Sequence, residues 1–205
     1  MMDKVADTVY PIETLLKRRW SPRAFSVRPV ETEKLLSLWE AARWSASCAN
    51  EQPWYFIVAT KENETEYARL LSCLRENNQQ WAQQAPVLMV SVAKLAFEAN
   101  GQANRYAFHD VGLAVANLIT QATALGLSVH QMAGFYPEKV RELYGVPESF
   151  EPVAGIVLGY AGDPASLPED LKQRELAPRA RRPIESFVFE RAWGHISPLV
   201  TLTSR

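Results

Sequence analysis

Ser45-Ala46-Ser47-Cys48-Ala49-Asn50-Glu51-Gln52-Pro53-Trp54 is a polar, irregular stretch wedged between two segments that both carry the marks of burial. Before it, Leu35, Leu36, Leu38, Trp39 and Ala42 fall close to the i, i+3, i+4, i+7 spacing of an amphipathic helix. After it, Tyr55-Phe56-Ile57-Val58-Ala59 reads as a short interior strand. A helix therefore ends in a loop that feeds directly into the core. Ser47, Cys48, Asn50 and Gln52 each offer a short hydrogen-bonding group, and Pro53 keeps the preceding residue out of helical geometry. Such a loop either wraps a planar polar ligand or is an ordinary helix-to-strand connection, since connecting loops are polar by default.

Working outward, Pro11 to Arg19 reads as a short helix with a basic end, and Pro29 to Arg43 as a second, with Glu31 and Glu33 in its first turn where negative charge is favoured. Lys61 to Asn77 places Tyr67, Leu70, Leu71 and Leu74 at helical spacing on an otherwise polar segment. Ala85 to Ala93 is apolar almost throughout, which predicts a central strand covered on both faces. Asn104 to Leu125 is the longest helical signal, apolar over much of its circumference and expected to be buried; Gly112 and its alanines would admit a second helix closely, as in a dimer core. Gly126 suits the C′ position of that helix, and Leu127 to Met132 makes a strand, Pro137 to Tyr144 a short helix and Val153 to Tyr160 the last core strand. From Ala161 the chain becomes a proline-containing surface excursion. Phe187, Phe189, Trp193, Ile196, Leu199 and Val200 then carry too much apolar surface to hang free, so the tail is expected to lie against something, a second subunit among the options. The order of elements predicts one α+β domain over 1–205, with 1–10 as an N-terminal lead and 184–205 as a C-terminal extension.

The 205 residues suffice for a proper core, and a formal net charge of −1 argues against a nucleic-acid or membrane-surface partner, for which a clear basic excess is usual. No apolar run approaches the roughly 20 residues of a spanning helix, and the N-terminus lacks the layout of a signal peptide, so a cytoplasmic protein is expected. Cys48 and Cys73 differ in context and make no case for a disulfide or metal site, and His109 has no second ligand at metal spacing, which reads as a core or interface histidine. There is no Gly-x-Gly-x-x-Gly, no Walker Gly-Lys-Ser/Thr, no Cys-x-x-Cys, no Gly-x-Ser-x-Gly and no His-Glu-x-x-His, so any nucleotide is held by other means.

Two basic clusters stand out. Lys17, Arg18, Arg19 and Arg23 fall within seven positions, and Arg174, Arg179, Arg181 and Arg182 form the other. Each reads either as a solvated patch or as half of an anion site, because a guanidinium is a permanently charged planar fork suited to phosphate oxygens.

Taken in order, Arg19-Trp20-Ser21-Pro22-Arg23-Ala24-Phe25, Ser47 to Trp54, Asn78-Gln79-Gln80-Trp81 ahead of Ala85-Pro86-Val87-Leu88, Ala124-Leu125-Gly126-Leu127, Gly134-Phe135 and Arg179-Ala180-Arg181 resemble the FMN-dependent nitroreductase family. Helices around a central mixed β-sheet follow from the order of elements and a long buried helix from its apolar circumference, and the resemblance adds a homodimer, with the C-terminal tail expected to pack on the partner subunit. It implies FMN at the subunit interface, NAD(P)H as reductant, and electron-poor small molecules such as nitroaromatics or quinones as acceptors, reduced by a ping-pong mechanism through flavin N5 with no catalytic side chain; the alternative is a flavin store or sensor without nicotinamide turnover. By position, Arg19, Trp20, Ser21 and Arg23 would hold the flavin, Arg23 near N1/O2 and Arg19 toward the phosphate. Asn78 would meet the pyrimidine edge, Met132, Ala133 and Gly134 would run close to the ring, and Arg179 and Arg181 would clamp the phosphate. Ala46, Ser47, Cys48 and Asn50 would reach across from the other subunit. The chain departs from many relatives in Ala46-Ser47-Cys48, where Pro-Ser-Ser is common, and at Ala133, where an acidic residue is common.

Overall fold

A computed structural model describes residues 4–201. Four strands carry the core: β1 (Trp54–Thr60), β2 (Val87–Lys94), β3 (Ser128–Met132) and β4 (Phe150–Gly159), in the spatial order β1-β2-β4-β3. All three pairings are antiparallel, so the sheet is not mixed as expected. Apolar strands of this kind read alike in parallel and antiparallel sheets; direction is decided by the connections, and a run of local sequence does not contain it. Among the described residues no helix is long and apolar enough to cross a membrane.

Because successive side chains on a strand point to opposite faces, β2 feeds two cores at once. Leu88, Val90 and Val92 join one apolar cluster, and Val87, Met89 and Ala93 join the other. Burying each larger residue is worth about 1.5–3 kcal/mol, so this strand alone supplies stabilisation comparable to the net stability of a domain, about 5–15 kcal/mol. On the second face lie α2 (Thr32–Arg43), through Leu35, Leu38 and Ala42, and the long α5 (Ala107–Ala124), through Val111, Ala114, Val115 and Leu118. The outer side of α5 is open: Phe108 is 50% and Leu113 37% exposed. Its apolar circumference is thus only half covered within one chain. His109 lies on that open side, exposed and not in the core.

The opposite face carries α3 (Glu64–Leu71), α4 (Glu76–Ala82) and α6 (Pro137–Tyr144), the last ended by Gly145 in the left-handed conformation at φ 63°. The single helix expected over Lys61–Asn77 is broken into α3 and α4. The cause is tertiary: Arg75 N–H donates to the Gly134 carbonyl at 3.0 Å and Tyr136 N–H to the Cys73 carbonyl at 2.8 Å, so Leu74 pairs with Phe135 as a short bridge and leaves the helix. α1 (Thr14–Arg18) precedes this framework, and α7 (Glu169–Leu176) and α8 (Pro198–Thr201) follow it. The excursion after Ala161 therefore contains a helix, anchored by buried Leu171 and Glu175. The tail folds on itself through a Phe189–Ile196 bridge and a Phe189–Trp193 edge contact at 5.4 Å, yet leaves Trp193 95% exposed.

Residues 23–26 run as an extended segment along the end of β4. Ser26 N–H donates to the Tyr160 carbonyl and Gly162 N–H to the Ala24 carbonyl. A Cβ at Gly162 would stand 2.6 Å from the Phe25 carbonyl carbon, against backbone that has nowhere to move. Gly162→Ala is expected to lower stability by about 1–3 kcal/mol, the cost of overpacking a closed site, measured as a reduced urea midpoint with unchanged slope.

Candidate functional site

α1 ends at Arg18 with Arg19 extended, so the chain leaves the helix and carries Trp20, Ser21, Pro22 and Arg23 along the edge of the molecule. α7 ends at Leu176, and Ala177 to Arg181 then passes the same place. The two basic clusters meet there, in a cleft of about 310 Å³ lined by Lys4, Arg19, Trp20, Ser21, Arg23, Arg174, Glu175, Ala177, Pro178, Arg179, Ala180 and Arg181. Of the predicted site residues, Arg19, Trp20, Ser21, Arg23, Arg179 and Arg181 are thereby brought together.

Local hydrogen bonds fix most of these cations without neutralising them. Arg179 Nη1 donates to the carbonyls of Lys4 and Lys17 at 2.7 and 2.9 Å, so one arm of this guanidinium holds the N-terminal lead and the end of α1 together. Lys4 Nζ donates to the carbonyls of Glu175 and Ala177, both at 2.6 Å, and lies 4.7 Å from the Trp20 ring centroid. Arg19 Nη1 donates to Ser21 Oγ at 3.3 Å. Burial pushes the Arg19 guanidinium below its usual range, and the nearby positive charges of Arg179 and Arg181 add to the effect; Arg179 is lowered in the same way, by burial and then by Arg181. The single lining carboxylate, Glu175, is turned toward backbone N–H groups and pairs with none of the arginines among the described residues. Lys4 and Glu175 were missed by sequence reading. For Glu175 a signal existed, since Leu167, Leu171 and Glu175 follow one another at i, i+4 and all are buried; for Lys4 there was none.

A second group adjoins the cleft. His130, from β3, donates through Nδ1–H to the Pro22 carbonyl at 2.7 Å and packs its ring 4.6 Å from that of Trp81. Trp81 Nε1–H donates to Asn78 Oδ1 at 3.3 Å, and Asn78 Nδ2 donates to the Gly134 carbonyl at 2.9 Å. Asn78 and Gly134 sit so close that a Cβ on Gly134 would fall 2.3 Å from Asn78 Nδ2. Asn78 and the Met132-Ala133-Gly134 turn are therefore one unit, although the Met132 side chain lies in the core. Ala46, Ser47, Cys48 and Asn50 are not among the residues lining the cleft. Their loop lies against the start of α5, where buried Asp110 accepts from Cys48 N–H at 3.0 Å. Ala49, Asn50 and Gln52 are all left-handed, at φ 52°, 56° and 52°, a costly conformation for residues with a Cβ. Among the described residues no cluster of His, Cys, Asp and Glu could hold a metal ion.

The chain is similar in sequence and fold to known proteins. The model of the nitroreductase family fits residues 16–160, and the chain belongs to that family of oxidoreductases. A solved structure described as an oxidoreductase containing FMN superposes with a TM-score of 0.86 at 34% identity, covering 91% of this chain and 95% of that one. An NADH dehydrogenase of Thermus thermophilus is 30% identical over 181 residues, 72% of this chain and 85% of the relative. A 15.4 kDa protein of Mycolicibacterium smegmatis is 40% identical over 91 residues, which span 44% of this chain and 61% of that relative. The family match ends before Glu175, Arg179 and Arg181, so the C-terminal wall of the cleft lies outside the matched residues.

Burial, reinforced by the Arg23 charge, pushes the His130 imidazole from its ordinary 6.5 down to about 4, against the opposing pull of the Pro22 carbonyl. Between those two pH values the unfolded chain binds a proton that the folded chain does not. The resulting stability is complete above pH 6.5 and is lost as the pH falls toward 4, a change of about 2–3 kcal/mol. Urea unfolding across this range is expected to show that loss in the parent and a flatter profile in His130→Gln.

Proposed function

We propose that this protein is an FMN-dependent NAD(P)H oxidoreductase that reduces electron-poor acceptors such as nitroaromatics or quinones, and that it works as a cytoplasmic homodimer. The observation that carries the reading is the excess positive charge of the cleft among the described residues: several forked or ammonium donors converge there, and the one carboxylate among them is directed at peptide groups. Such a donor set suits a phosphate monoester, which accepts several charge-assisted bonds at once. Arg19, Arg179 and Arg181, with Lys4 beside them, would hold the phosphate. Arg23 and Asn78 would meet the ring, with Asn78 set by its bond to the Gly134 carbonyl.

FMN held by these residues would supply the chemistry of an electron carrier between NAD(P)H and the acceptor. The protein contributes orientation and charge. The Arg23 guanidinium has no ion-pair partner among the described residues and is free to face negative charge at the ring edge. His130 is neutral at physiological pH and keeps its Nδ1 proton on the Pro22 carbonyl, which makes it a brace and not a proton donor to substrate.

Assembly as a homodimer is supported by the open apolar side of α5, by the exposed Phe187, Trp193 and Leu199 of the tail, and by the position of the Ala46–Asn50 loop away from its own chain's cleft. A copy of the chain covering those surfaces would bring that loop to the neighbouring site.

Purified protein is expected to be yellow and to bleach rapidly with NADH or NADPH in the absence of oxygen. Bleaching by neither would identify a flavin store or sensor, and a colourless protein that fails to take up added FMN would remove the proposal. Arg19→Ala combined with Arg181→Ala leaves the Arg179 tie intact, and should weaken FMN binding by about a hundredfold through loss of two charge-assisted contacts, read by fluorescence titration.

A further inference from the structure

Glu175 occupies an unfavourable position. It is 1% exposed, it sits one residue before the end of α7, where the helix dipole disfavours negative charge, and it lines a cleft whose other charges are positive. Burial of a carboxylate carries a large desolvation cost, and a carboxylate beside an anion site repels the anion. Attraction to the surrounding cations, Lys4 among them, offsets part of that cost, but phosphate binding gives no reason for a carboxylate here.

Its contacts do. Oε1 accepts from Arg23 N–H at 2.9 Å and from Ala24 N–H at 3.1 Å, and Oε2 also accepts from Arg23 N–H at 2.9 Å. Immediately before these peptide groups the Pro22 carbonyl is held by His130, and immediately after them the Ala24 carbonyl is held by Gly162 N–H. The backbone is thus pinned on both sides of Arg23, while the Arg23 guanidinium has no hydrogen bond or ion pair among the described residues. Backbone placement alone aims that side chain. We infer that Glu175 is a positioning residue for Arg23: its carboxylate fixes the Arg23-Ala24 peptide groups so that the guanidinium is presented to the cleft. This rests on the FMN reading for the identity of the ligand but not for the coupling itself.

Charge and positioning make opposite predictions. Glu175→Gln removes a negative charge from an anion cleft, so a purely electrostatic role would tighten FMN binding. A positioning role weakens it, by about tenfold or more, the usual consequence of losing hydrogen bonds to a charged group. The decisive measurement is a double-mutant cycle on the full-length chain. In an Arg23→Ala background Glu175→Gln is expected to change the FMN dissociation constant by less than about twofold, because a residue that acts through another has nothing left to act on. Equal losses in both backgrounds, or tighter binding in the single variant, would overturn the inference. Amide hydrogen exchange supplies a readout free of flavin: protection at Arg23 and Ala24 should fall in Glu175→Gln and be largely kept in Glu175→Asp, which retains the charge and also serves if the glutamine variant does not fold. Unchanged protection in Glu175→Gln would count against the role. If the parent binds no FMN, the function reading fails, and the same cycle read with inorganic pyrophosphate still decides whether Glu175 acts through Arg23.

Discussion

Like charges held close together are the constraint to which the rest of this molecule answers. Among the described residues, six cationic side chains line the cleft against one carboxylate. At an effective dielectric of about 20, two unit charges roughly 6 Å apart repel by about 3 kcal/mol, so such a group stays assembled only if the backbone and its hydrogen bonds hold it. The chain meets this with carbonyl oxygens in place of carboxylates. Lys4 is anchored on the carbonyls at the end of α7, and Arg179 on those of Lys4 and Lys17. Carbonyl dipoles hold the cations in place and leave their charge available to a ligand.

The sheet and its helices serve that arrangement from behind. β2, covered on both faces, fixes β4, and the end of β4 fixes the Arg23–Ser26 segment through Tyr160 and Gly162. β3 carries His130 to the Pro22 carbonyl, and the break between α3 and α4 carries Asn78 to Gly134. At Gly162 a missing Cβ is what allows two backbone segments to approach, and at Gly134 it makes room for the Asn78 side chain. The same framework leaves α5 and the tail with apolar surface facing out.

Local pattern made much of this legible. Four strands and the helices around Leu38, Leu118 and Val140 follow from periodicity and from the unbroken apolar run at Val87–Ala93. What was hidden depends on partners distant in the chain. Strand direction, the bridge at Leu74 that splits a continuous helical pattern, and the roles of Lys4 and Glu175 are all set by contacts between remote segments. The arginines were visible as clusters, but their convergence came from family resemblance and not from spacing. In the sequence His130 is only one position of a strand, because the carbonyl that it grips is 108 positions away.

That distance has a temporal side. The sheet is complete once Gly159 has been made, whereas Lys4 meets Glu175 across 171 positions and Arg179 meets Lys4 across 175. During vectorial synthesis on a ribosome the N-terminal lead can bond to the end of α1 through Ala6 N–H and the Lys17 carbonyl, but Lys4 must wait for Glu175 and Arg179 until nearly the whole polypeptide has emerged. A nascent chain that stalls after β4 would own a finished scaffold with only the Lys4, Arg19 and Arg23 side of the cleft, its opposite wall from Arg174 to Arg181 still unmade.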